Sequence, residues 1–252
     1  MRTSIAHAHP DRVEVRGLDL SSLIGSVTAS EYFWILLTGA RPTAVQARML
    51  DACIVAIAEH GLVPSVQAAR MTYASGPESL HGAVAAGLLG CGSVILGSSS
   101  ETAALLTSVV ATAGSGASGD TAAAEQAALD AVRELRAAGR TVPGVGHPLH
   151  READPRAGAL LSLASRLGAA GPHVAALHAV VDAVPLVYGR KLPLNVNGVI
   201  PAVLLDVDFP VGAMKGVPLV GRTMSLVAHL LEEQENPIGF GLAAAAEAAV
   251  ES

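Results

Sequence analysis

Thr141-Val-Pro-Gly144-Val-Gly146-His147-Pro-Leu-His150, followed at once by Arg151-Glu-Ala-Asp154-Pro155-Arg156, concentrates the chemistry of this chain. Gly144 and Gly146 admit backbone angles closed to other residues and let a ligand approach main-chain amides closely. His147 titrates near neutrality and so can give or take a proton. Asp154 reads as a helix N-cap and Pro155 as the first helical residue. Arg156 then falls in the first turn, where the positive helix end and a guanidinium can face one anion together. Taken alone, the stretch also fits a surface turn with an incidental histidine.

Its setting is helical. The chain has 252 residues, enough for one large domain or a large domain with a small one. Apolar residues make up 51% of it and aromatic residues only 3%, with 26 glycines. Small side chains of this kind predict closely approaching helix axes and an alanine-packed interior. A net charge of -6 with no basic run argues against a nucleic-acid partner. Cys53 and Cys91 each lie in an apolar helical pattern, which fits a reduced intracellular protein. Residues 1–12 lack the apolar core of a signal peptide. The longest apolar run, 80–96, is rich in glycine and carries His81, so it reads as a buried helix and no membrane span. The expected location is the cytoplasm.

Punctuation marks the helices. Thr28-Ala-Ser-Glu31 has capping-box spacing and Gly39 stops the helix it opens. Further helices are expected from Pro42 to Gly61, Ser65 to Ser75, Glu78 to Gly90, Ser98 onward, 120–138, 155–167, 172–188, 196–205 and 221–233. Residues 114–119 form a flexible break. Only Val13–Val15 and Leu192–Leu194 alternate as short extended pieces would. The predicted class is all-α.

Three other positions place a polar residue at a helix end. Ala58-Glu59-His60-Gly61 leaves a histidine at a C-terminus, where a charged imidazole also serves as a cap. Leu192-Pro-Leu-Asn195-Val-Asn197-Gly198 puts two amides at a helix start, a common capping use of asparagine. Gly221-Arg222-Thr-Met-Ser225, with His229 four residues on, puts an arginine in a first turn, where it opposes the helix dipole and calls for an anion.

In this order, with Thr38-Gly39, Pro42 and Gly87-Leu-Leu89, these stretches resemble the citrate synthase superfamily, and most nearly the citryl-CoA lyase module of ATP-citrate lyase. The resemblance runs from Val15 to Glu235. It implies an all-helical homodimer with a cleft between a large domain (1–97 and 191–252) and a small one (98–190). It implies catalytic roles for His60, which would bind the acid, for His147, which would handle the proton on the oxygen at the joined carbon, and for the position of Asn197. Arg156 and Arg222 would clamp substrate carboxylates, and His229 would line the cleft. Pro143, Gly144, Val145 and Gly146 would hold coenzyme A, taken as an acyl-CoA substrate beside a carboxylic acid. Such chemistry needs charge stabilised at an enolate and an alkoxide, and proton transfer near neutral pH.

Three departures stand out. The superfamily's His-Gly-Gly-Ala-Asn stretch is replaced here by Ile95-Leu-Gly-Ser-Ser-Ser-Glu101, as it also is in the lyase module. The catalytic aspartate of the family falls on Asn197, an amide that cannot take a proton. No arginine follows Arg222, whereas the family lends one across its dimer. Two other readings therefore stay open: a decarboxylative or thioester-directed CoA enzyme that uses Asn197 as a hydrogen-bond donor, and a non-catalytic CoA-binding dimer. No metal is expected, since the pairs His7/His9 and His147/His150 lack acidic or cysteine ligands beside them. The default for His81, His173 and His178 is a structural role.

Overall fold

Asp206, at the end of one helix, closes the start of another, and this exchange of caps typifies the fold. The computed structural model describes residues 3–92, 96, 98–114, 121–146 and 153–250. Twelve α-helices lie among them: α1 (Leu20–Leu23), α2 (Ala29–Thr38), α3 (Ala44–Ala58), α4 (Pro64–Ser75), α5 (Leu80–Leu89), α6 (Ser98–Ala113), α7 (Thr121–Ala137), α8 (Pro155–Arg166), α9 (Pro172–Tyr188), α10 (Val196–Leu205), α11 (Gly216–Glu235) and α12 (Gly239–Val250). The class is all-α, as the punctuation predicts. No helix among the described residues is long and apolar enough to cross a membrane.

α10 is the central element: every residue of it except Asn197 is buried. It packs against α3, α6, α8 and α9. Asp206, its C-cap residue, accepts hydrogen bonds from the N–H groups of Gly171, His173 and Val174 at 2.6, 2.8 and 3.0 Å. The start of α9 has a glycine at its N-cap and no side-chain cap of its own, so its orphan donors are met from across the core.

The remaining caps follow local rules. Thr28 with Glu31 and Thr43 with Gln46 both form complete capping boxes. α3 thus starts at Ala44, two residues after Pro42, and ends at Ala58, before His60. A three-stranded antiparallel sheet, β1 (Ala6–Ala8), β2 (Val13–Val15) and β3 (Leu18–Asp19), precedes the helices. Arg16 and Gly17 turn β2 into β3 with φ of 52° and 80°, a left-handed pair suited to a tight hairpin. The Arg16 guanidinium then donates to the carbonyls of Leu36 and Leu37 at the end of α2.

Several expectations need correction. Leu192–Leu194 is not a strand; only Leu194 forms a single bridge, with Val145. α11 begins at Gly216 rather than Gly221, so Arg222 lies in its second turn. Gly221 is a contact point: a Cβ there would lie 3.0 Å from the Ile54 carbonyl and 3.2 Å from Ala58 Cα, across the α3 interface. α5 is not buried all round; only Ala83 and Gly87 are, and Leu89 is 87% exposed. Residues 239–250, which show no capping signal, form α12.

α12 is tied on by charge. Arg70 of α4 is 3% exposed and donates through Nε to Glu233 at 2.5 Å, through Nη1 to Glu232 at 2.8 Å and through Nη2 to the Asn236 carbonyl at 3.0 Å. The other Glu233 oxygen accepts the N–H groups of Ile238 and Gly239 at 2.9 and 2.7 Å, where α12 starts. Removing one member of such a pair leaves the other buried and uncompensated, at a cost of about 3–5 kcal/mol. Glu233→Ala should therefore lower unfolding stability by about that amount in a guanidinium titration. A change within about 0.5 kcal/mol, as for an ordinary surface substitution, would contradict the account.

Candidate active site

The glycine loop and the start of α10 are zipped together. Gly144 and Gly146 have φ of 80° and 86°, the left-handed values that glycine alone adopts freely. Gly146 N donates to the Pro193 carbonyl at 2.7 Å and Asn195 N donates to the Gly144 carbonyl at 3.1 Å. Asn195 is the N-cap of α10: its Oδ1 accepts from Gly198 N at 3.2 Å and its Nδ2 donates to the Gly146 carbonyl at 2.6 Å. A Cβ on Gly144 would lie 2.5 Å from Gly198 Cα, so the loop rests directly on the first helical turn. Pro143 borders an open cavity of about 460 Å³ between α6 and α7, lined also by Glu101, Leu105, Glu134 and Arg140.

Asp154 joins two helix starts. It caps α8 through the Arg156 N–H at 3.1 Å and reaches Val196 N, the first residue of α10, at 2.9 Å. The Arg156 guanidinium binds the same carboxylate with two hydrogen bonds of 2.9 Å. The anion that faces helix end and guanidinium together is thus the protein's own. Burial would raise the Asp154 pKa, but Arg156 and the N–H groups outweigh it and hold the carboxyl below its ordinary value. The Arg156 side chain as a whole is 21% exposed.

Asn197, one residue inside α10, is half-buried. Its Oδ1 accepts a 3.2 Å hydrogen bond from the hydroxyl of Ser99, a fully buried residue in the first turn of α6.

A second group forms where α3 ends against α11. Glu59 Oε1 accepts the N–H groups of His60 and Gly61 at 2.8 and 2.5 Å. Its Oε2 accepts from the Ser225 hydroxyl at 2.6 Å and lies 3.1 Å from His229 Nε2. Arg222, 2% exposed, places Nη1 3.5 Å from the same hydroxyl, and its Nε has no partner among the described residues. Burial lowers the guanidinium's pKa, while Glu59 and Cys91 act the other way. Cys91 in turn has its thiol pushed up by burial and drawn down by Arg222, Ser65 and Lys215.

The structure therefore assembles the predicted residues into two groups. Pro143–Gly146, Arg156, Asn195 and Asn197 surround the start of α10, and His60, Arg222 and His229 gather at Glu59. His147 lies outside the described residues, as do His150 and part of the Ile95–Glu101 stretch. Sequence reading missed Glu59, Ser225 and Ser99 as members. Ser225 had a signal: Arg222, Ser225 and His229 are spaced three and four apart and share one helix face. Glu59 had none beyond its place next to His60, because its partner is 166 residues away.

Burial alone would raise the Glu59 pKa, but the bonds from Ser225, His229 and Gly61 bring it to about 2. An unfolded glutamate titrates near ~4.3. Because the folded value is the lower one, Glu59 stabilises the fold above pH ~4.3, and that contribution is lost as pH falls toward about 2. Glu59→Gln should therefore flatten the acid limb of stability in thermal melts across that range. A parental slope retained in the variant would assign the acid sensitivity to other carboxylates.

The family model for the citrate synthase C-terminal domain matches residues 2–239. No curated protein sequence matches the chain. Among solved structures, citryl-CoA lyase from Hydrogenobacter thermophilus is 32% identical, with a TM-score of 0.81 over 92% of this chain and 86% of that one. ATP citrate lyase from Methanothrix soehngenii, in complex with citrate and coenzyme A, is 20% identical, with a TM-score of 0.75 over 93% of this chain but 39% of that larger one. Citrate synthase from Thermoplasma acidophilum, in a ternary complex with carboxymethyl coenzyme A and oxaloacetate, is 16% identical, with a TM-score of 0.65 over 83% of this chain and 54% of its own. The last two show likeness of fold alone. With the family model spanning nearly the whole chain and a 32% identical relative matched over most of both chains, the chain belongs to the citrate synthase family of enzymes.

Proposed function

We propose that this chain makes or cleaves a carbon–carbon bond between the enolate of an acyl-CoA and a carbonyl acid, in the manner of a citryl-CoA lyase. The observation that carries this reading is Arg222: a buried guanidinium whose Nε has no partner among the described residues, on a chain 32% identical to such a lyase. A buried charge without a full set of partners is costly, and a substrate carboxylate completes the set. Arg156, a partly exposed side chain bound to Asp154, contributes a second guanidinium. His229, whose ring lies against Glu59, and His60, whose main-chain N–H donates to the same carboxylate, orient the acid. The loop Pro143–Gly146 offers backbone to coenzyme A, which enters as substrate.

In cleavage, His147 takes the proton of the hydroxyl on the carbon to be released as carbonyl. The electrons of the breaking bond pass to the thioester enolate, which then gains a proton at carbon. The position where the family keeps an aspartate for that proton holds Asn197. The reading includes a cytoplasmic homodimer, with 98–190 as the smaller domain beside a cleft. For the dimer, the support is an apolar stripe: Met224, Val227 and Leu231, spaced three and four apart on one face of α11, are 52, 46 and 57% exposed, and α11 packs against α3 and α5, which carry Val55 at 76% and Leu89 at 87%. Single exposed apolar residues are ordinary, but a continuous stripe calls for a partner.

Citryl-CoA cleavage, followed by release of coenzyme A, tests the activity. Arg222→Ala should weaken binding of the carbonyl acid by about 2–5 kcal/mol and leave coenzyme A binding nearly unchanged by calorimetry. Equal loss of both ligands would assign the arginine another role. Asn197→Asp should raise any α-proton-dependent activity by about a hundredfold or more, because it installs a base. For assembly, Leu231→Glu should convert a two-chain sedimentation mass at micromolar concentration into a one-chain mass. A one-chain mass for the natural protein would refute the dimer.

A further inference from the structure

Ser99 is fully buried, and among the described residues its hydroxyl bonds one group, the side-chain oxygen of Asn197. That bond has a directional consequence. An amide has an oxygen that only accepts and a nitrogen that only donates. With Oδ1 occupied by Ser99, Asn197 turns Nδ2 the other way, and Nδ2 has no hydrogen-bond partner among the described residues. The amide itself sits one residue inside the start of α10, beside the glycine loop, where the aligned peptide dipoles favour negative charge. Both flanking amides are already used: Val196 N by Asp154 and Gly198 N by Asn195. Among the described residues, Asn197 Nδ2 is therefore a side-chain donor this helix end still has to offer.

We infer that Ser99 is a positioning residue that fixes Asn197 as a hydrogen-bond donor to the acyl oxygen of a CoA thioester. The inference rests on the proposed CoA chemistry and narrows it. A site so built stabilises an enolate oxygen but cannot remove a proton from the α-carbon. Its substrates are thioesters whose enolate forms by loss of a carbon fragment. The electrons of the breaking C–C bond become the enolate C=C, the oxygen charge rests on the Asn197 N–H, and the α-carbon takes its proton from water. Both a β-hydroxyacyl thioester that releases a carbonyl acid and a β-carboxyacyl thioester that releases CO2 meet this requirement. No oxidant or further reactant is needed.

The experiment compares binding of coenzyme A, acetyl-CoA and S-ethyl-CoA, a thioether with no acyl oxygen, to the full chain by calorimetry. Acetyl-CoA should bind roughly three- to tenfold tighter than S-ethyl-CoA, the range of one net hydrogen bond. Ser99→Ala and, separately, Asn197→Ala should erase that preference while coenzyme A binds as before, which also shows that each variant is folded. In D2O, the natural chain should leave the acetyl protons of acetyl-CoA unexchanged, and Asn197→Asp should exchange them. Equal affinity for acetyl-CoA and S-ethyl-CoA in the natural chain would overturn the inference, as would retention of the preference in both alanine variants or proton exchange by the natural chain. Failure of the natural chain to bind coenzyme A at all would instead overturn the CoA reading beneath it.

Discussion

The Asp154 carboxylate carries more of this architecture than any other single group. It sits at the start of α8, receives the first N–H of α10 and is clasped by Arg156. Two helix starts converge on it, each bringing partial positive charge, and a full cation lies alongside. Such convergence fixes how α8 and α10 meet, and α10 is the rod around which α3, α6 and α9 pack. The glycine loop rests on the same end of α10, and Asn197 projects from it. Core and candidate site thus share one anchor, and a disturbance at the carboxylate reaches both.

Much of the fold is legible in the sequence because helix ends are written locally. Capping boxes at Thr28 and Thr43, the Asp-Pro pair at 154–155 and the glycine after Thr38 each act within a few residues. What the sequence conceals are ends completed from afar. α9 is capped by Asp206, more than thirty residues later, and α2 by Arg16, about twenty residues earlier. α12 starts without a local cap because Glu233 supplies it. Gly221 misleads for a related reason: an inter-helix contact and a helix boundary both select glycine, and only the packing tells them apart.

The candidate site divides in the same manner. Its loop residues announce themselves through glycine and asparagine, whose backbone and capping uses are local. Glu59, Ser225 and Ser99 do not, because each acts through a partner on another helix. These less visible residues decide chemistry all the same. Glu59 ties the main chain at His60 and Gly61, the Ser225 hydroxyl and the His229 ring to one carboxylate, and Ser99 sets which face of an amide is presented.

The close contacts at glycine bear on how this chain tolerates change. Alanine dominates its helices, and most such positions would accept another small residue. At Gly87, Gly198 and Gly221, however, an added methyl would meet neighbouring atoms at 3.0 Å or less. These positions act as spacers that set the separation between paired helix axes, α5 with α11, α10 with the glycine loop and α3 with α11. A drift from glycine to alanine, the mildest change in composition available, would push those axes apart and shift Arg222 and Asn197 relative to the elements they face. Neutral variation in this protein should therefore accumulate among its alanines and halt at close-contact glycines such as these.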